Sequence, residues 1–98
     1  MTDYIFEWDN NKEIKNMGKH GFSFKEATEV FKDPQIVHFE DLAHSSEENR
    51  YYAVGKIRNG IVLTVRYTQE GNTIRIFGAA VWRKWRKFYE KRKNTESL

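Results

Sequence analysis

The dipeptide Asn59-Gly60, set between two apolar-rich runs, constrains this chain more than any other feature. Asn-Gly in that setting is the strongest short-range hairpin signal, because a type I′ turn needs positive φ at both central residues. It predicts strands over 51–57 and 61–68. A second link, 69–72, joins the latter to a strand over 73–81, with Gly71 and Asn72 able to take left-handed conformations. Residues 50–81 therefore read as two consecutive hairpins, and the helices on either side have nothing else to pack on.

The turns set expected registers. A two-residue loop pairs Arg58 with Ile61, and hence Val65 with Val54 and Tyr67 with Tyr52. A four-residue loop pairs Thr68 with Thr73 and sets Arg66 opposite Arg75. Alternation along a strand puts Ile61, Leu63, Val65, Tyr67, Ile74 and Ile76 on one face, and Thr64, Arg66, Thr68, Thr73 and Arg75 on the other. Like charges opposed across a strand pair repel, so two paired arginines in mid-sheet suggest an anion held between them.

With 98 residues the chain is expected to be one domain, 1–98, near the lower end of sizes that bury a self-sufficient core. Aromatic residues make up 15% of it, which compensates, since each buried ring removes roughly 150–250 Å² from water. Absence of cysteine excludes disulfides and thiolate metal sites. No apolar run approaches the roughly 20 residues a membrane span needs, and the first residues lack a signal-peptide layout. A cytoplasmic protein with no membrane association is expected. The net charge of +3 hides an asymmetry. Residues 1–81 carry 10 Lys and Arg against 12 Asp and Glu, whereas residues 82–93 carry 7 against 1. A concentrated basic segment on a near-neutral body attracts polyanions, although a solvated helix face has the same composition.

Tyr4, Phe6 and Trp8 alternate with Ile5 and Glu7 as in a short strand. Asp9 is a good N-cap for a weak helix over 10–17, with Gly18 or Gly21 as its stop. Ser23 and Glu26 form a capping box for a second helix, flanked by Phe22 and Ala27 as a hydrophobic staple. Phe24, Ala27, Val30 and Phe31 make its apolar stripe, and Asp33-Pro34 ends it. Another strand is expected over 35–40, then a polar loop over 41–49. The last helix, about 82–93, carries Trp82, Trp85 and Tyr89 on one stripe with Phe88 beside it, and residues 94–98 are expected to fray. That stripe docks the helix on the sheet, stacks RNA bases or receives a partner. A basic amphipathic helix lying on a membrane surface is the weakest of its readings.

Several patterns together resemble the BrnT family, the toxin half of a bacterial type II toxin–antitoxin pair. They are Trp8-Asp9, Lys12, Asn16, Lys19-His20-Gly21, Phe24, Ala27, Phe31 and Asp33-Pro34. After them come His44-Ser45, Glu47-Glu48, Arg50, Gly55, Arg66-Tyr67-Thr68 and Ile74-Arg75-Ile76. No single motif is specific, but their order and spacing over roughly 4–90 are. The resemblance implies an α+β, RelE-like fold, a small antiparallel sheet of four to five strands with two N-terminal helices and a basic C-terminal helix. It also implies a metal-independent ribonuclease without cofactors that arrests growth by cutting RNA. The implied partner is a BrnA-type antitoxin, through whose complex alone operator DNA is bound. One departure stands out. The common form of the family ends its last strand in Ser-Ala-Arg, where this chain has Gly78-Ala79-Ala80, so Arg83 or Arg86 must replace the missing arginine. Otherwise the chain binds RNA or antitoxin without cutting.

Metal-free RNA cleavage needs a base for the 2′-hydroxyl proton, an acid for the leaving oxygen, and cations aimed at the phosphorane. Arg66 and Arg75 suit the last role through bidentate contact with phosphate oxygens, or else are surface arginines balanced by Glu47 or Glu48. His20 is the leading proton-transfer candidate, since an imidazole serves that purpose at neutral pH; its other reading is a helix-end cap. Glu47 and Glu48, with His44 nearby, form a second acid/base group on a loop. His38 reads as structural. Lys19, Arg50, Arg83, Lys84, Arg86 and Lys87 are the expected RNA contacts. Histidines at 20, 38 and 44 have no metal-ligand spacing, and no phosphate loop or nucleophile elbow is present.

Overall fold

The computed structural model describes residues 3–45 and 48–96. Five strands form one mixed sheet: β1 (Ile5–Glu7), β2 (Val37–Glu40), β3 (Arg50–Lys56), β4 (Val62–Glu70) and β5 (Thr73–Ala80). Their spatial order is β1-β5-β4-β3-β2. β2 to β5 pair antiparallel in sequence, and β1 joins β5 in parallel. Helix α1 (Asn10–His20) and the short α2 (Phe24–Ala27) precede β2, a 3₁₀ turn over Thr28–Lys32 extends α2, and α3 (Arg83–Glu96) closes the chain. This is the expected α+β architecture, with one parallel pair supplied by the first strand. Among the described residues no helix is long and apolar enough to cross a membrane.

Local chemistry explains the N-terminal half. Asp9 caps α1 by accepting from the Lys12 amide at 3.1 Å. The helix runs through Gly18 and stops at Gly21, whose left-handed backbone lets its N–H reach the Met17 carbonyl. Both halves of the Ser23/Glu26 capping box form, each at 3.0 Å. Glu13 ties the two helices together by accepting from the Phe24 amide at 2.9 Å. At the other end, α3 continues to Glu96, beyond the helix end expected at about 93, and residues 97–98 lie outside the described set.

Both hairpin registers differ from expectation. In the first, only Gly60 has positive φ (92°); Asn59 does not. The loop therefore takes three residues, 58–60, with a left-handed glycine in third place. Ile57 N–H donates to Ile61 O and Gly60 N–H to Ile57 O, each at 2.9 Å. Arg66 consequently opposes Tyr52, and Val65 opposes Ala53. A one-residue slip reverses the faces of a whole strand, so Tyr52 and Val54 lie on the side opposite Tyr67.

The second hairpin is tighter than expected. Glu70 pairs with Thr73 across Gly71-Asn72, and only Gly71 has positive φ (59°), the pattern of a type II′ turn. Thr68 therefore faces Arg75. A bulge at Arg66/Tyr67 then leaves Phe77 without a partner and sets Arg66 against Gly78. This slip is by two residues, which keeps Thr73 to Ile76 on their expected faces but separates Arg66 from Arg75, and the bulge reverses the faces of Gly78 to Ala80. The opposed pair does not form.

The sheet's two sides are built differently. One carries Leu63, Val65, Tyr67, Ile74 and Ile76 against Phe24, Ala27 and Val30. Six of the seven largest fully buried side chains sit there, each contributing about 1.5–3 kcal/mol. On the other side Val54, Val62 and Tyr89 form a smaller cluster with Val37, Phe39 and Trp85. The slip that turned Val54 outward thereby supplies the floor on which α3 rests. Tyr89 secures that helix by donating to Asp33 Oδ2 at 2.5 Å, and Trp85 stacks on Phe39 at 4.4 Å.

One buried polar residue ties α1 to the sheet. The Asn16 amide nitrogen donates to Ala79 O at 2.8 Å and Phe22 O at 2.9 Å, while its oxygen accepts from Ala79 N–H at 3.1 Å. β1 covers only the first residues of β5, Thr73 to Arg75. Asn16 satisfies the backbone farther along.

Candidate functional site

Beside Asn16, a cleft of about 700 Å³ opens between α1, the second half of β5 and the start of α3. α1 lines it with Lys12, Lys15, Asn16, Lys19 and His20, which share a helix face by their spacing. β4 adds Thr64 and Arg66. The chain from Phe77 to Arg83 completes the wall, including Ala80 and Trp82. No Asp or Glu is among the lining residues. The apolar residues of α1 lie elsewhere on it, with Ile14 and Met17 exposed.

Arg66 is the most constrained cation of the cleft. Its side chain crosses β5 over Gly78, where a β-carbon would stand 3.3 Å from Arg66 Cδ. The guanidinium lies 5.2 Å from the Phe77 ring centroid, and that of Arg50 lies 5.0 Å from the same ring. Phe77 is the bulge residue, so the irregularity in β5 provides the surface on which two arginines rest. The buried Arg66 Nε has no hydrogen-bond partner.

A buried acid stands behind Arg66. Burial disfavours the Asp41 charge. Hydrogen bonds from His44 and Tyr52, with the charges of His44 and Arg66, outweigh that and hold the carboxyl below its ordinary range. His44 Nδ1 lies 2.9 Å from Asp41 Oδ2. Tyr52 is raised by burial and by its hydrogen bond to Asp41. Across the sheet, His38 is lowered by burial, its Nδ1 2.7 Å from the Tyr67 hydroxyl.

The expected site residues divide into three groups. Arg66, His20, Lys19 and Arg83 meet in the cleft. Arg75 does not; it pairs with Glu7 at 3.3 Å and lines a separate groove with Glu48 and Glu70. Glu48 lies 3.9 Å from Arg50, and Glu47 lies outside the described residues. On α3, Lys84 sits 4.8 Å from the Trp85 ring, Arg86 pairs with Glu90 at 3.6 Å, and Lys87 is exposed. Lys12 and Lys15 were not among the expected contacts, although the spacing 12, 15, 16, 19, 20 carries that signal. Among the described residues no group of three His, Cys, Asp or Glu side chains gathers to hold a metal.

Fold and cleft together define a small α+β domain with one strongly cationic, acid-free groove. The family is narrower than that class. The model of the family described as "Ribonuclease toxin, BrnT, of type II toxin-antitoxin system" matches residues 8–87, and this chain belongs to that family. The fold is similar to the 1.1 Å crystal structure of the Brucella abortus ribonuclease toxin BrnT, with a TM-score of 0.59 at 20% identity. That match covers 82% of this chain and 95% of the Brucella chain. No curated protein matches the sequence. Family membership places the protein among the ribonuclease toxins of type II systems, to which an antitoxin partner belongs.

Proposed function

We propose that this chain cuts RNA without a metal ion in the cleft between α1, β5 and α3, and that a BrnA-type antitoxin neutralises it. The observation that carries the reading is the gathering of Arg66, Arg83, Lys12, Lys15, Lys19 and His20 around one groove with no acidic lining residue. A phosphodiester entering it meets charge of a single sign. Arg66 lines that groove, and a guanidinium suits bidentate contact with phosphate oxygens.

The chemistry follows. The 2′-oxygen attacks the adjacent phosphorus, its proton passes to His20, and the bond from phosphorus to the 5′-oxygen breaks. The 5′-oxygen takes a proton from solvent water as it leaves, and a 2′,3′-cyclic phosphate remains. Charge develops on the non-bridging oxygens, and fixed cations there are worth more in the transition state than in the ground state. Arg83 takes the place of the arginine absent at Ala80, because both positions line the same groove, whereas Arg86 turns to Glu90.

The test is a gel of end-labelled RNA incubated with purified protein in EDTA. Cleavage by the native chain and its loss in both Arg66→Ala and His20→Ala support the reading. Full activity in Arg66→Ala removes the site assignment. Salt-dependent binding without cleavage products by the native chain leaves an RNA- or antitoxin-binding protein of the same fold, the outcome that Ala80 favours.

A further inference from the structure

We infer that Trp82 is a base-stacking platform, making single-stranded RNA, with an unstacked base beside the bound phosphate, the substrate class. The inference rests on the proposed site in the cleft and adds what that site reads.

Trp82 stands between the end of β5 and the first turn of α3, and it lines the cleft with Arg66 and Arg83. Its companions at the next helical positions face the sheet. Trp85 stacks on Phe39, and Tyr89 is 2% exposed. Trp82 remains 43% exposed, although it is one of the largest apolar side chains available for burial. It is nonetheless fixed in place. Tyr52 meets it at 5.4 Å with the planes at 83°, and Trp85 at 6.1 Å with the planes at 80°. An indole braced by perpendicular rings beside a row of cations combines the two elements that bind single-stranded nucleic acid, an aromatic face for the base and positive charge for the backbone.

Charge complementarity selects the occupant. The groove lined by Trp82 carries Lys12, Lys15, Lys19, Arg66 and Arg83 with no acid, so a polyanion bearing flat apolar faces fits it. A duplex does not supply those faces, because its bases are already stacked on one another and its deep groove excludes side chains. A cleft of about 700 Å³ suits one small ligand, such as a nucleotide or two, rather than a helix.

The test measures binding of fluorescein-labelled, 2′-O-methyl RNA, which cannot be cut, to the native chain, Trp82→Ala and Trp82→Phe. Expected is a roughly 5- to 100-fold weaker affinity for the single strand in Trp82→Ala, with most of it restored in Trp82→Phe. The native chain should bind an abasic oligomer of equal length as weakly as Trp82→Ala binds the normal one, and should prefer single strand to duplex. Equal affinity for the normal and abasic oligomers overturns the inference, as does a preference for duplex. The abasic comparison uses the native chain and so holds even where Trp82→Ala fails to fold. Base-dependent binding without cleavage of natural RNA removes the catalytic reading alone; cleavage with base-independent binding removes this one alone.

Discussion

The two sides of the sheet share the same strands and serve opposite ends. One is dry, filled by Phe24, Val30, Leu63, Val65, Ile74 and Ile76 beneath α2 and its 3₁₀ extension. On the other, α3 rests on Val54 and Val62, and the remaining surface is left to Tyr52, Arg66 and the buried Asp41. The contrast teaches where each kind of mutation should register. Packing changes on the dry side should remove stability, and polar changes on the open side should remove activity with little loss of fold.

The largest expected effect tests the dry side. Phe24→Ala should lower the unfolding free energy by about 3–5 kcal/mol, read from urea denaturation; near-native stability would mean this face does not carry the fold. Next comes Arg66→Ala, which should slow RNA cleavage roughly 10²- to 10³-fold while shifting the denaturation midpoint little. Arg75→Ala is its control. Because the ion pair of Arg75 with Glu7 is exposed, cleavage should stay within about twofold, and a large loss would restore the arginine pair expected from the sequence.

Asn16→Ala joins the two classes, since its amide holds α1 both to the sheet and beside the cleft. Leaving Ala79 N–H and C=O without partners should cost about 1–3 kcal/mol, and weaker RNA binding should accompany it in a filter assay. Gly78→Ala is milder. A methyl group 3.3 Å from Arg66 Cδ displaces the guanidinium by a few tenths of an ångström, and a several-fold slower cleavage at near-native stability is expected. The smallest effect is a pH dependence. His38 has its folded-state pKa lowered by burial, so the unfolded chain binds its proton more readily. The associated stability is fully present above about pH 6.5 and is lost as pH falls through the unfolded value toward the folded one. Denaturation curves at pH 7.5 and 5.5 should differ less in His38→Gln than in the native chain.

Much of this was legible in the sequence, because periodicity survives errors that register does not. Leu63, Val65, Tyr67, Ile74 and Ile76 lie together as their alternation requires, and the Ser23/Glu26 capping box sits where its spacing puts it. Register failed at the turns. Asn59-Gly60 supports either a two- or a three-residue loop, and the choice depends on whether Asn59 takes positive φ, which its neighbours decide. The one-residue difference moved Tyr52 and Val54 across the sheet. The bulge at Phe77 has no signal in the sequence, yet it sets the path of Arg66. For the cleft, the α1 spacing of Lys12, Lys15, Lys19 and His20 was readable, whereas its meeting with Arg66 and Arg83 depends on packing between elements far apart in the chain.

Asn16 has a consequence for the molecule among its own copies. The outer rim of β5 is guarded in two sections, by three residues of β1 and then by a single carboxamide that mimics a neighbouring backbone. An uncovered run of amides and carbonyls is a template for a strand from another chain. At the crowded concentrations of a cell, the side chain that steadies the cleft therefore also keeps one copy from zipping onto the next, and its loss should show first as turbidity on storage.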